Sequence, residues 1–213
     1  MFDIEFLIAT QKKRLEGLLC QIHIALNSGL NVRVTVGMDG EYPELMEKLP
    51  ESYKDKIRFV KNVPQGTPSI SFGYLYENMD WDGWIYAVAD DDIVLPWGLK
   101  HLWENREGVS MVIGQTIGVS RDDHFDFSGW KIGYEVVENH VSTAFINSKD
   151  LSKLPKPWIV NEPNSDYLII KRMADHFKYR VIPNVVHVQA FAKFENLGEE
   201  FKESYMNIYG HLF

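Results

Sequence analysis

A chain of 213 residues, 45% hydrophobic and 24% charged, has the size and composition of one globular α/β domain with a full core. Its net charge of −8 argues against a nucleic acid gripped through its phosphates, because such partners call for a basic surface. Cys20 is the only cysteine, which excludes an internal disulfide and suits a reducing, cytoplasmic compartment; no apolar run approaches the roughly 20 residues that span a bilayer.

Ile4 to Ala9 reads as a first strand; Phe2 to Thr10 is too short and too acidic for a signal peptide. Thr10 caps a helix from Gln11 to Asn27, whose stripe of Leu15, Leu18, Leu19, Ile22 and Leu26 has helical spacing and which Gly29 ends. His23 lies beside that stripe with no partner in view. Thr10, Lys13 and Arg14 stand at the strand-to-helix turn, either as a cap with solvated charges or as contacts for an anionic ligand. Val32, Val34 and Val36 alternate with polar residues in a second strand, which ends at Gly37-Met38-Asp39-Gly40. Asp39 is either a turn residue or an acceptor for a nucleotide base or ribose. A short helix from Pro43 to Leu49, a strand from Ile57 to Val60 and a helix from the Pro64–Ser69 loop to about Asn78 complete a β-α-β-α-β-α pattern. That order predicts a parallel sheet covered by helices. No Gly-x-Gly-x-x-Gly follows the first strand, which argues against a dinucleotide-binding dehydrogenase.

The most informative stretch comes next. Trp84 to Ala89 is an apolar run of strand formers, and it ends in Asp90-Asp91-Asp92. The acids therefore sit where a strand stops, the usual ligand crevice of an open α/β sheet. If the chain stays extended, Asp90 and Asp92 share a face. Two carboxylates that close repel, and a hard divalent cation relieves the repulsion. The competing reading is a solvated acidic turn. An EF-hand loop starting at Asp90 fails, since it needs an oxygen ligand at Val94, glycine at Leu95 and glutamate at His101.

Pro96 to Arg106 reads as a helix and Val109 to Ile113 as a strand. From Gln115 to Lys149 the helical period is lost, with a strand from Val141 to Ile146. Trp130 and Trp158 are either sugar platforms or core tryptophans. Ser165 or Asn164 caps a helix carrying Ile169, Ile170, Met173, Ala174 and Phe177 on its apolar side, so Asp166 falls in the first turn, where the helix dipole favours an acid. Arg180 to Ile182 is a strand, Pro183-Asn184 turns the chain, and Val185-Val186-His187-Val188 follows. His187 is either a core histidine or a neutral imidazole bound to a metal. The chain ends on an ordinary segment, as a piece of a longer protein would.

In this order, strand–Thr10, strand–Asp39, strand–Asp90-Asp91-Asp92, helix-opening Asp166 and strand–His187, the chain resembles the GT-A glycosyltransferase family in its short form, over most of its length. The resemblance implies an α/β, Rossmann-like GT-A fold: a mixed, mostly parallel central sheet flanked by helices. It implies one domain over 1–213, with a nucleotide-sugar-binding half at 1–95 and an acceptor-binding half at 96–213. It further implies a UDP-sugar donor held with Mn²⁺ or Mg²⁺, and a hydroxyl of a glycan or glycoprotein as acceptor. Thr10, Arg14, Asp39, Asp90 and Asp91 would contact the donor, Asp90, Asp92 and His187 the metal, and Asp166 would be the base. Within the family the chain is similar to the N-terminal domains of chlorovirus enzymes that decorate a capsid protein, which implies a capsid glycan and the host cytoplasm. It departs from the family in having Ser165-Asp166 in place of a Glu-Asp pair, with Glu162 displaced, and in lacking an arginine and asparagine within Ser69 to Tyr74. Two other functions fit a similar sheet: a metal-dependent phosphohydrolase or nucleotidylyltransferase, and a non-catalytic carbohydrate-binding domain.

Overall fold

The computed structural model describes residues 2–10, 15–64, 68–79, 82–90, 92–119, 144–155 and 165–190. Its first half runs β1 (Ile4–Thr10), α1 (Leu15–Leu26), β2 (Val32–Met38), α2 (Pro43–Lys48), a 3₁₀ turn (Glu51–Lys56), β3 (Ile57–Val60), α3 (Pro68–Glu77) and β4 (Trp84–Ala89). The second half runs β5 (Ile93–Val94), α4 (Gly98–Glu104), β6 (Met111–Val119), β7 (Ala144–Asn147), α5 (Ser148–Leu151), α6 (Ser165–His176) and β8 (Tyr179–Ala190). The strands among the described residues form one eight-stranded sheet in the order β3-β2-β1-β4-β7-β6-β8-β5. β3, β2, β1 and β4 are parallel neighbours, β6 and β8 are parallel, and β7 and β5 run against their neighbours. The expected mixed, mostly parallel sheet is therefore the observed one.

Alternation along the strands builds a core on each face. Ile4, Phe6 and Ile8 of β1 and Tyr86 and Val88 of β4 pack beneath α1, α2 and α4, through Leu18, Ile22, Leu45, Leu99 and Leu102. Leu7, Ile85 and Ala87 point the other way, against Phe72 and Leu75 of α3 and Ile169, Ile170 and Met173 of α6. Strands buried on both faces read as continuous apolar runs, which is why β1 and β4 are so visible in the sequence. One charged group is built into this layer: Glu5, fully buried, is held by Arg33 at 2.8 Å and by the Thr35 hydroxyl on β2. Gly29, with φ +76°, ends α1 in the left-handed region that glycine enters without strain. His23 has a partner after all, the Tyr53 hydroxyl at 3.0 Å, and partial burial lowers its pKa.

Three expectations about elements are corrected. β5 is an extra two-residue strand, formed because Ile93 and Val94 pair with Val188 and His187 of β8. The helix after Pro96 starts at Gly98, once that pairing is complete. Pro183-Asn184 does not break the chain into two strands: β8 runs through it, and the pairing with β6 absorbs the extra residues as register shifts around Gln115.

Gly98 explains how α4 meets β8. A Cβ at this position would stand 2.5 Å from the Val186 carbonyl oxygen, a backbone atom that also accepts the Leu95 N–H at 3.0 Å. Gly98 is the first residue of α4, where the interior helix preference for alanine has little hold, so overpacking against backbone, which costs about 1–3 kcal/mol, decides. Gly98→Ala is expected to lower the melting temperature by roughly 2–12 °C, at about 2–4 °C per kcal/mol for a chain of this size. A differential-scanning measurement showing an equal or higher melting temperature would contradict this packing.

Candidate active site at the carboxyl edge of the sheet

β1 has β2 on one side and β4 on the other, so the crevice of the sheet opens between the carboxyl ends of β1 and β4. Ala9 lies opposite Ala89 in that pairing, so the next residues, Thr10 and Asp90, stand side by side. The Thr10 hydroxyl donates to Asp90 Oδ2 at 2.7 Å, and both residues are buried, Asp90 being 2% exposed.

The acids then part company. β4 stops at Ala89, and the Asp92 N–H reaches back to the Ala89 carbonyl at 3.3 Å. This turn means that the extended alternation expected to set Asp90 beside Asp92 does not run through residue 92. Asp90 turns to Thr10, whereas Asp92 Oδ2 faces His187 Nε2 at 3.1 Å. Gln21 of α1, buried and missed in the sequence, fixes the Asp92 segment: its amide nitrogen donates to the Asp92 carbonyl, and its amide oxygen accepts the Val94 N–H at 3.4 Å. Its one visible signal was an amide next to Ile22 on an otherwise apolar helix face.

His187 is completely buried, with Nδ1 at 2.8 Å from the Thr116 hydroxyl on β6. Among the described residues its Nε2 has no aligned hydrogen-bond partner, despite the carboxylate 3.1 Å away. Thr116, His187 and Asp92 thus form a line of three groups, but not a nucleophile–imidazole–acid relay, which requires the acid to hydrogen-bond the ring. A close pair of donor atoms without an aligned hydrogen bond suits two ligands aimed at one ion. Ligand atoms at right angles, each about 2.1 Å from a hard cation, stand about 3.0 Å apart. The carboxylate suits Mn²⁺ or Mg²⁺ as a donor type, and the imidazole nitrogen favours the transition ion, Mn²⁺. Among the described residues no group of three or more His, Cys, Asp or Glu side chains is gathered closely enough to hold an ion. Asp92 and His187 are thus a pair among the described residues, and an ion held there would need further ligands.

Asp39 follows β2 on the same edge of the sheet, and the Tyr42 hydroxyl donates to its Oδ1. Burial, then the hydrogen bond to Asp39, raises the Tyr42 pKa well above the ordinary phenol value, so this donor stays protonated. Met38, Glu41, Tyr42, Pro43, Met46, Phe59 and Lys61 line a cleft of about 200 Å³ beside it. That is below the roughly 300–1,000 Å³ of a complete ligand site, so the cleft has room for one part of a ligand. Asp166 is the second residue of α6, as expected, but its side chain lies outside the described atoms. Arg14, Asp91, Trp130, Trp158 and Glu162 lie outside the described residues.

No protein-family model matches the chain, and no curated protein matches it by sequence. Solved structures match it in fold. S. aureus TarS 1-349 superposes with a TM-score of 0.65 at 10% identity, over 89% of this chain and 60% of that chain, and its complex with UDP-GlcNAc gives the same score at 11% identity. The mannosyltransferase PcManGT from Pyrobaculum calidifontis, in complex with GDP-Man and Mn²⁺, superposes with 0.63 at 12% identity, over 90% of this chain and 58% of that chain. A 4-diphosphocytidyl-2C-methyl-D-erythritol synthase from Anaerococcus prevotii gives 0.60 at 12% identity, over 97% of this chain and 96% of that chain. The chain thus has the Rossmann-like GT-A fold, and it spans less than two thirds of the length of the TarS 1-349 and mannosyltransferase chains.

Proposed function

We propose that this chain is a metal-dependent glycosyltransferase domain, moving a sugar from a UDP-sugar to a hydroxyl of a glycan or glycoprotein. The observation that carries the reading is the Asp92–His187 pair, 3.1 Å apart with no aligned hydrogen bond at Nε2 among the described residues, at the carboxyl edge of a GT-A sheet. Two structural neighbours at TM-scores above 0.6 are solved with nucleotide sugars, which supports the donor class.

In this reading Asp92 and His187 hold Mn²⁺ or Mg²⁺. The ion supplies Lewis-acid neutralisation of the diphosphate leaving group. Asp90, oriented by Thr10, faces the donor rather than completing a ligand set by itself. Arg14 and Asp91 add donor contacts, residues 96–213 the acceptor half, and Asp166 the acceptor-side acid. The capsid-decorating resemblance makes a capsid glycan the first acceptor to try, and the single cysteine suits action in the cytoplasm.

A thermal-shift screen of nucleotide sugars with and without Mn²⁺ tests the donor class. A ligand at about 100 times its Kd adds roughly 2.7 kcal/mol, or about 5–11 °C for a chain of this size. A shift that needs both Mn²⁺ and the nucleotide sugar supports the reading; shifts from nucleotide sugars that ignore Mn²⁺ contradict it.

Asp39 is assigned to the uracil and ribose, with Tyr42 anchoring one of its oxygens. UDP is expected to bind more tightly than GDP or ADP, and Asp39→Ala to narrow the gap by about tenfold, the worth of one hydrogen bond to a charged group. Calorimetry with the three diphosphates checks this, and equal affinities in the unmodified protein would remove the assignment.

One observation favours a second reading. The synthase match covers nearly the whole of both chains, as a nucleotidylyltransferase on this fold would. Against it, the sequence that follows β1, Gln11-Lys12-Lys13-Arg14, has no glycine of the kind that brings backbone amides onto a triphosphate.

A further inference from the structure

The imidazole of His187 has two faces, and the reading above uses only one. The other, Nδ1, is 2.8 Å from the Thr116 hydroxyl, and the two residues are direct partners across β6 and β8. Neutral imidazole carries one N–H, so this contact decides which nitrogen keeps a lone pair. If Thr116 donated to Nδ1, the proton would sit on Nε2, buried and without an aligned acceptor among the described residues. An orphaned buried donor is the costly arrangement. If Nδ1–H donates to Thr116, Nε2 turns a lone pair toward the space it shares with Asp92 Oδ2.

We propose that Thr116 is the positioning residue of this site: by accepting the Nδ1–H of His187, it fixes the tautomer and ring orientation that make Nε2 a metal ligand. The proposal rests on the Asp92–His187 metal reading and adds a residue to it. Outer partners of this kind orient ligating imidazoles, and their loss typically costs 10–100-fold in affinity.

The backbone is built to bring the two residues together. Gln115 pairs with Val185, but Thr116 pairs with His187, so β8 passes Val186 as an extra residue. In a regular ladder Thr116 would meet Val186, and His187 would point to the opposite face. Val186 is accommodated by two glycines. A Cβ on Gly114 would lie 2.4 Å from Val186 Cγ2, and one on Gly98 would lie 2.5 Å from its carbonyl oxygen. The bulge thus re-aims His187 at Thr116 on one side and Asp92 on the other.

The test compares Thr116→Val, which keeps the shape and removes the hydroxyl, with Thr116→Ser, which restores it. Mn²⁺ binding in the presence of UDP is followed by electron paramagnetic resonance. The ring tautomer is read without metal from long-range ¹H–¹⁵N spectra at alkaline pH. The unmodified protein is expected to show Nδ1–H at His187. Thr116→Val should bind Mn²⁺ 10–100-fold more weakly and show a mixture of tautomers, and Thr116→Ser should return within about threefold of the original affinity. Undiminished Mn²⁺ affinity in Thr116→Val overturns the proposal, as does Nε2–H in the unmodified protein, which needs no variant to fold. Absence of Mn²⁺ binding in the unmodified protein overturns the metal reading instead; the tautomer spectrum then still decides whether Thr116 sets the ring.

Discussion

Asp92→Asn should abolish Mn²⁺-dependent binding of UDP while leaving the fold in place. The side chain is partly exposed and faces His187, and the amide keeps its size, so the substitution costs little packing. As a ligand, the amide is a poorer donor to a hard cation and leaves the diphosphate charge uncompensated. The Gln21 clamp is to the Asp92 backbone and survives the substitution. Calorimetry of UDP into the variant with Mn²⁺ should give no measurable heat, with a melting temperature within a few degrees of the original. Undiminished Mn²⁺-dependent binding would remove Asp92 from the site. Asp90→Asn makes the internal contrast: an amide oxygen can still accept from Thr10, so its effect should fall on donor affinity rather than on Mn²⁺.

Asp166→Asn should reduce turnover by on the order of 10²-fold or more, with UDP affinity nearly unchanged. α6 begins at Ser165, so Asp166 is in the first turn, where the helix dipole favours the ionised form. An ionised acid is ready to take a proton from the acceptor hydroxyl, though intrinsically weak as a base. Weakness matters less if the hydroxyl acidifies only as its bond to the anomeric carbon forms. Anomeric-proton NMR of the product assigns the role: inversion is expected for a base in a single displacement, and retention leaves Asp166 to orient donor or acceptor. Full activity in Asp166→Asn would contradict its assignment and make Glu162 the next acid to test.

The parts of this site that sequence could reveal are those set by local pattern. β1 and β4 stand out because strands buried on both faces are continuous apolar runs, and the acids after Ala89 stand out because three carboxylates in a row break such a run. The order of elements was enough for a parallel sheet covered by helices, and the family resemblance added its mixed character. What stayed hidden depends on register between distant strands. Thr10 meets Asp90 only because Ala9 pairs with Ala89. Thr116 lies beyond Gly114-Gln115, poor strand formers at which the strand seemed to end, and its partner His187 is set by an extra residue in β8. β5 has two residues and no period at all. Gln21 was hidden because helix spacing shows which residues face the core, not which backbone groups at the sheet edge need partners.

The central claim is that the bond broken joins a sugar to a nucleoside diphosphate. ³¹P NMR of the unmodified protein with Mg²⁺ measures this directly, once with a panel of UDP-sugars and a glycan acceptor and once with nucleoside triphosphates and a sugar phosphate. The account predicts growth of the two UDP resonances in the first sample and no pyrophosphate in the second. Pyrophosphate released from a triphosphate, with every UDP-sugar left intact, would contradict it.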